Sequence, residues 1–288
     1  MKKITCIVVD LPRYTESYVD LENKTRVFHR CWFPDKYNAL VVGVHGFVEH
    51  GGRYVSLGET LSHLNYAFCI HDLRGHGKTA SDNDRGFIHE FEDFLNDLYY
   101  YIKYIKESYR GDKTFIFGHS MGGLITVYYA GYTKKLIDGI ITSGAAVYLG
   151  RIPLAQKILL TTLSRIYPRK RIKLPIKAED LTNINDVNSN YVRDSLVIKD
   201  PTVRLIVELY NASLKVWRYV NNIHVPALIM HGKKDRVVPP QASIMLYEKI
   251  PSTDKKLVLF ENSKHELIND LEKEKVIEEI TSWLSRHT

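Results

Sequence analysis

Short apolar runs separated by longer amphipathic stretches recur along the chain. Runs rich in β-branched and aromatic residues fall at 26–32, 40–44, 66–71, 114–117, 136–142, 227–231 and 256–260. Each has the length of a strand with little polar alternation, the pattern of strands buried on both faces. A further first strand is predicted at 4–9, behind two lysines. Helix-compatible segments lie at 87–109, 124–132, 240–249 and 266–286. The aromatic stripe of 87–109 reads as core packing. Strands alternating with helices predict an α/β protein with a mostly parallel sheet covered on both faces. Ligands are then expected beyond the carboxyl ends of the strands.

The alternation breaks between residues 147 and 221. Pro153, Pro168, Pro175 and Pro201 punctuate this stretch, and no convincing strand appears in it. Ala155, Ile158, Leu159, Leu163 and Ile166 recur at helical spacing and predict an amphipathic helix over 154–167. The expected organisation is a core of residues 1–146 and 222–288, with 147–221 as a helical cap over the strand ends.

The 288 residues are 44% hydrophobic and 25% charged, as in an ordinary soluble globular protein. The formal net charge of +7 lies in one segment: 147–221 carries thirteen Lys/Arg against six Asp/Glu, leaving twenty-seven of each elsewhere. From 151 to 177 there are eight basic residues and no acidic one. No apolar run reaches the roughly 18–20 residues of a membrane span. The 4–9 run is shorter than a signal-peptide core of about 7–15 residues. Cys6, Cys31 and Cys69 are odd in number and scattered, which favours unpaired thiols in a reducing compartment. The expected location is therefore cytoplasmic, and the sequons at Asn23 and Asn211 read as chance matches.

Candidate chemistry centres on Gly118-His119-Ser120-Met121-Gly122-Gly123. It joins a predicted strand to a predicted helix, the setting in which G-x-S-x-G forms a nucleophile elbow. Such a turn needs small residues two before and two after the serine. A serine hydroxyl needs a base to take its proton, and that base needs an acid to fix its tautomer. His265 follows the last predicted strand and Asp235 follows the one before it. The order Ser120, Asp235, His265 is that of α/β-hydrolases. An oxyanion calls for two backbone donors. The N–H groups of Met121, after the nucleophile, and Phe47, after the third predicted strand, are the candidates. No cofactor is expected: Lys264-His265-Glu266-Leu267 lacks the second histidine of H-E-x-x-H, no Cys/His pair has zinc spacing, and no phosphate-binding loop occurs.

The segments His45-Gly46-Phe47-Val48-Glu49-His50-Gly51-Gly52-Arg53-Tyr54, Asp72-Leu73-Arg74-Gly75-His76-Gly77-Lys78-Thr79 and Gly118 to Gly123 resemble successive signatures of the monoacylglycerol lipase and lysophospholipase family of serine α/β-hydrolases. The resemblance continues through the Asp235 and His265 turns and is weakest in the cap. It implies hydrolysis of a monoacylglycerol to fatty acid and glycerol through an acyl-enzyme. It also implies that Glu49 and Arg53 lie near the glycerol head group. Asp72 and the Gly75-His76-Gly77 turn read as structural. Phe47 stands where some members carry a smaller residue.

Alternatives within enzymes are a lysophospholipase and a general carboxylesterase. Outside them stands a ligand-binding protein of the same fold, whose mark would be a broken triad. Ser120 at the elbow argues against the usual dehalogenase and epoxide hydrolase chemistry, which needs a carboxylate there. The basic cap is open to three readings: a solvated face, docking on an anionic lipid surface, or nucleic-acid binding. Apolar residues such as Ile152, Leu154, Leu159, Leu160, Ile172, Leu174 and Ile176 between the cations suit an interfacial helix. Arg169-Lys170-Arg171 is short for nucleic acid, and no nucleic-acid-binding fold is indicated.

Overall fold

The computed structural model describes residues 13–109, 113–133, 136–173 and 177–288. Among them, eight strands form one sheet: β1 (Arg13–Asp20), β2 (Arg26–Phe33), β3 (Ala39–Val44), β4 (Tyr66–His71), β5 (Thr114–His119), β6 (Gly139–Ser143), β7 (Ala227–Gly232) and β8 (Lys255–Phe260). Their order is β1-β2-β4-β3-β5-β6-β7-β8. β2 is antiparallel to β1 and β4, and every other neighbouring pair is parallel.

The continuous apolar runs follow from two buried faces. Val42, Val44 and Ile116 join a core with α2 (Glu92–Ser108) and α3 (Met121–Tyr132), which contribute Phe94, Leu98, Ile102, Leu124 and Tyr128. Their chain neighbours Val41, Phe115 and Phe117 point to a second core, with Leu57 and Leu61 of α1 (Val55–His63). The stripe of 87–109 is thus core packing, as expected.

β1 was not predicted. Of its eight residues only Val19 is buried, so no face of it carries an apolar signature. It exists by pairing all eight residues with β2. The strand predicted at 4–9 lies outside the described residues. A second departure concerns the cysteines. Cys31 and Cys69 are 38 residues apart but directly opposed in the β2–β4 register, and they form a disulfide with Cα atoms 4.2 Å apart. The expectation of unpaired thiols fails because antiparallel pairing brings distant positions together, and the compartment inferred from it loses its footing. No helix among the described residues is long and apolar enough to cross a membrane.

Between β6 and β7 lie α4 (Leu154–Ile166), α5 (Asn185–Arg193) and α6 (Val203–Lys215). α4 forms where its periodicity predicts, but its apolar stripe faces outward. Leu154, Ile158, Leu159 and Ile166 are all more than half exposed, while Lys157, Leu160 and Thr161 face a cavity. Part of the basic run is structural: Arg169 donates to the Asn83 carbonyl and covers the Phe87 ring, and Arg171 reaches Asp200 and the Arg85 carbonyl. The chain then returns through α7 (Gln241–Lys249) and α8 (Lys273–Ser285), the latter adding Val276, Ile280 and Trp283 to the second core.

Candidate active site

Ser120 follows β5 directly, with φ 53° and ψ −117°, and α3 begins at once with Leu124 N–H donating to the Ser120 carbonyl. A non-glycine residue in that region costs on the order of 1–3 kcal/mol. The flanking glycines permit the reversal. A Cβ at Gly122 would stand 2.0 Å from the Val44 carbonyl oxygen, and one at Gly118 would stand 2.4 Å from that of Gly122. Ser120 is thereby pushed out between the ends of β3, β5 and β6.

The turns after β8 and β7 bring His265 and Asp235 to it. Ser120 Oγ lies 2.9 Å from His265 Nε2, and His265 Nδ1 lies 2.7 Å from Asp235 Oδ2. All three residues are buried. Burial by itself lowers the His265 pKa. The Asp235 carboxylate outweighs it, helped by Glu266 and Glu49, and His265 titrates above the ordinary histidine value. Burial likewise raises the Asp235 pKa, but His265 and His231 outweigh it and hold the carboxyl far below the usual range. Its Oδ1 accepts from the Val237 and Val238 N–H groups at 2.8 and 2.9 Å.

Gly46 and Phe47 run alongside the serine: a Cβ on Gly46 would be 3.2 Å from Ser120 Cβ. Among the described residues, neither the Phe47 nor the Met121 N–H makes a hydrogen bond. His45 holds this loop from behind. Burial, then the neighbouring His76, keeps its pKa well below the ordinary value. The neutral ring donates from Nδ1 to the Gly46 carbonyl and accepts the Leu73 N–H at Nε2, a tautomer assigned from these partners. His119 is pushed down to about 4 by burial, then by His265, and donates to the Ser143 carbonyl.

Glu49 and Arg53 are engaged within the protein. Glu49 Oε1 accepts from Gly46 N–H and from Tyr54 Oη, the latter at 2.7 Å. Arg53 donates from Nε to Glu49 and from Nη2 to both oxygens of Glu266. Glu49 reaches the cavity wall, whereas Arg53 stands behind it. Asp72 is structural, as expected: it accepts from Arg30, Gly51 N–H and Lys78 N–H.

A cavity of about 570 Å³ opens over Ser120. Its walls are mostly apolar, with Phe47 and Val238 from the sheet ends, Leu149 and Ile152 after β6, and Leu160 and Leu209 from α4 and α6. Glu49, Glu266 and Tyr191 add polar groups. Among the described residues no His/Cys/Asp/Glu group has the arrangement of a metal site.

Three supporting residues were not anticipated. His231, near the end of β7, stands four residues before Asp235, and that i, i+4 spacing was the available signal. His45 was read only as part of a motif. Glu266 gave none, since a glutamate at the start of a predicted helix reads as a solvated charge.

A mostly parallel sheet ending one strand on a strained serine, with His and Asp supplied by the last two strand ends, defines an α/β-hydrolase. The chain belongs to the serine aminopeptidase S33 family (Hydrolase_4), whose model matches residues 35–272. It is 29% identical over 268 residues to the monoglyceride lipase of Rattus norvegicus, covering 90% of this chain and 86% of that one. A crystal structure of Paleococcus ferrophilus monoacylglycerol lipase superposes with TM-score 0.81 at 27% identity, covering 91% and 99%. A soluble variant of monoglyceride lipase from Saccharomyces cerevisiae, in complex with a substrate analog, shares the fold at TM-score 0.84 and 24% identity, covering 100% and 99%. The chain is thus a monoacylglycerol lipase-like serine α/β-hydrolase, an ester hydrolase.

Proposed function

We propose that this enzyme hydrolyses monoacylglycerols to fatty acid and glycerol, with Ser120 as nucleophile, His265 as general base and acid, and Asp235 as its partner. The observation that carries the reading is the unbroken hydrogen-bonded row from Ser120 to Asp235 beneath a mostly apolar cavity. His265 takes the Ser120 proton as Oγ attacks the ester carbonyl. The Phe47 and Met121 N–H groups receive the oxyanion, aided by the partial positive charge at the α3 N-terminus. Asp235 stays ionised and stabilises the imidazolium. Collapse of the intermediate breaks the C–O bond, and the departing glycerol oxygen takes the proton from His265. Water repeats the sequence on the acyl-enzyme and releases the fatty acid.

In this reading residues 147–221 form a cap over a core of 1–146 and 222–288, and the apolar wall it contributes receives the acyl chain. The outward stripe of α4, flanked by Arg151, Arg165 and Lys170, supports docking of the cap on an anionic lipid surface. That accords with a peripherally membrane-associated enzyme. Lysophospholipids and simple carboxylic esters are the competing substrates.

The test is an activity panel across monoacylglycerols, lysophospholipids and nitrophenyl esters, with fluorophosphonate labelling of the nucleophile. Ser120→Ala should fold normally, lose labelling and lose nearly all turnover. A folded Ser120→Ala enzyme with near-normal activity refutes the assignment.

A further inference from the structure

Glu266 joins Glu49 and Arg53, four residues apart in one loop, to a segment more than two hundred positions away. Arg53 binds Glu266 through two contacts at 2.7 and 2.5 Å and Glu49 through one at 3.0 Å. Its guanidinium also lies 4.8 Å from the centre of the Tyr191 ring on α5. The side chains of Arg53, Glu49 and Glu266 are 9%, 7% and 5% exposed. Buried ion clusters are weak sources of stability, since well-packed apolar residues often serve as well or better. The geometry they impose is the more informative property.

Two features show where that geometry is spent. The free end of the network is Glu49 Oε1, which holds the Gly46 N–H, one peptide before the Phe47 N–H. The next residue, Val48, has φ 58°, an outlier for a β-branched side chain that persists only when its surroundings fix it. At the other end, Glu266 follows His265 directly and is tied by its own N–H to the Leu181 carbonyl.

Resting on the serine hydrolase reading above, we propose that Glu266 and Arg53 are positioning residues: a buried clamp that holds the strained Gly46–Val48 oxyanion loop at a fixed distance from the His265 loop. Arg53 then acts through Glu49 on the oxyanion donor and does not touch the head group. Glutamine at 266 keeps the volume but loses the paired carboxylate oxygens that Arg53 needs.

The experiment compares Glu266→Gln with the wild type on a monoacylglycerol and on a fluorophosphonate. The variant should keep KM within about twofold while kcat falls about tenfold to hundredfold, the scale of a misplaced catalytic group. The labelling rate should fall in parallel, because the phosphoryl oxygen of the adduct occupies the same hole. The acid limb of the rate profile should move to lower pH, since Glu266 is one of the charges favouring protonated His265. A merely structural role would lower thermal stability and leave kcat and the labelling rate in place. If Glu266→Gln does not fold, the apolar pair Arg53→Met with Glu266→Leu replaces it, and the same kcat loss is expected. A wild type that neither labels nor hydrolyses esters sinks the hydrolase reading and the clamp together. A labelled, active wild type matched in kcat and labelling rate by the folded variant overturns the clamp alone.

Discussion

Asp235→Asn is the perturbation whose outcome the geometry constrains most tightly. Four donors converge on this carboxylate: the Val237 and Val238 N–H groups on Oδ1, and His265 Nδ1 and His231 Nε2 on Oδ2 at 2.7 and 3.1 Å. Asparagine offers one oxygen. The two backbone donors cannot turn away, so the amide oxygen takes the Oδ1 position and the NH2 group takes the other. That NH2 then faces two imidazole nitrogens, both of which must present lone pairs. For His265 this moves the proton to Nε2, facing Ser120 Oγ, and the base becomes a donor. His231 must shift its proton to Nδ1, which leaves Nε2 opposing the Val238 carbonyl it now serves at 3.0 Å.

A triad locked in the wrong tautomer loses about 10⁴-fold in kcat, or about 5.4 kcal/mol of barrier. The stranded Val238 carbonyl adds on the order of 1–3 kcal/mol of lost stability. The assay is kcat on a monoacylglycerol between about pH 5 and 9, with urea unfolding to confirm the fold. Only unprotonated His265 can accept the Ser120 proton, and its pKa is raised in the wild type. Wild-type activity should therefore rise with pH through a midpoint above the ordinary histidine value of about 6.5. Without the carboxylate, burial dominates, and the acid limb of any residual activity should move down. A folded Asp235→Asn enzyme within tenfold of wild-type kcat, or one with an unmoved acid limb, would refute the reasoning.

Two other outcomes follow from the same geometry. Gly122→Ala drives a methyl group onto backbone at the β3 end; it should cost about 3 kcal/mol or more, beyond the usual 1–3 of overpacking, and an unchanged urea midpoint would contradict the elbow geometry. Binding to vesicles containing anionic lipid should weaken as salt rises from about 0.1 to about 1 M, over which the Debye length falls from ~10 to ~3 Å, and Ile158→Glu should weaken it at any salt. Binding indifferent to both salt and lipid charge would end the docking reading.

What could be read in the sequence was whatever obeys a local rule. β3, β4, β5 and β7 are buried on both faces, so their residues had to be apolar in unbroken runs. Ser120 had to sit between glycines, because the two Cβ atoms would otherwise meet backbone. Where a feature depends on a partner elsewhere in the chain, the local signal vanishes. β1 is an edge strand with one buried side chain. Cys31 and Cys69 meet only once the β2–β4 register is set. The α4 stripe has the helical period, but periodicity gives no direction. Here the side carrying Leu154, Ile158, Leu159 and Ile166 is exposed, and Lys157, Leu160 and Thr161 face the cavity. Glu266 is invisible for the same reason, since its burial is a consequence of Arg53, 213 positions away.

The charges around Ser120 bear on which head group the site can accept. Beside His265, Asp235, Glu49 and Glu266 stand against the Arg53 guanidinium and leave an excess of negative charge, while Lys157, Lys173 and Arg236 line other parts of the cavity wall. Proton transfer from Ser120 to His265 compensates that excess, so the imidazolium is favoured as it forms. The same excess opposes the oxyanion, which is left to backbone dipoles at Phe47, Met121 and the α3 N-terminus. A phosphodiester next to the scissile ester would bring a further negative charge to this end of the cavity. Glycerol hydroxyls bring none. The kcat/KM for a monoacylglycerol should therefore exceed that for the lysophospholipid of the same acyl chain, with the gap narrowing as salt is raised. Equal constants at low salt would show that the negative charge is spent inside the Arg53 network and does not reach the substrate.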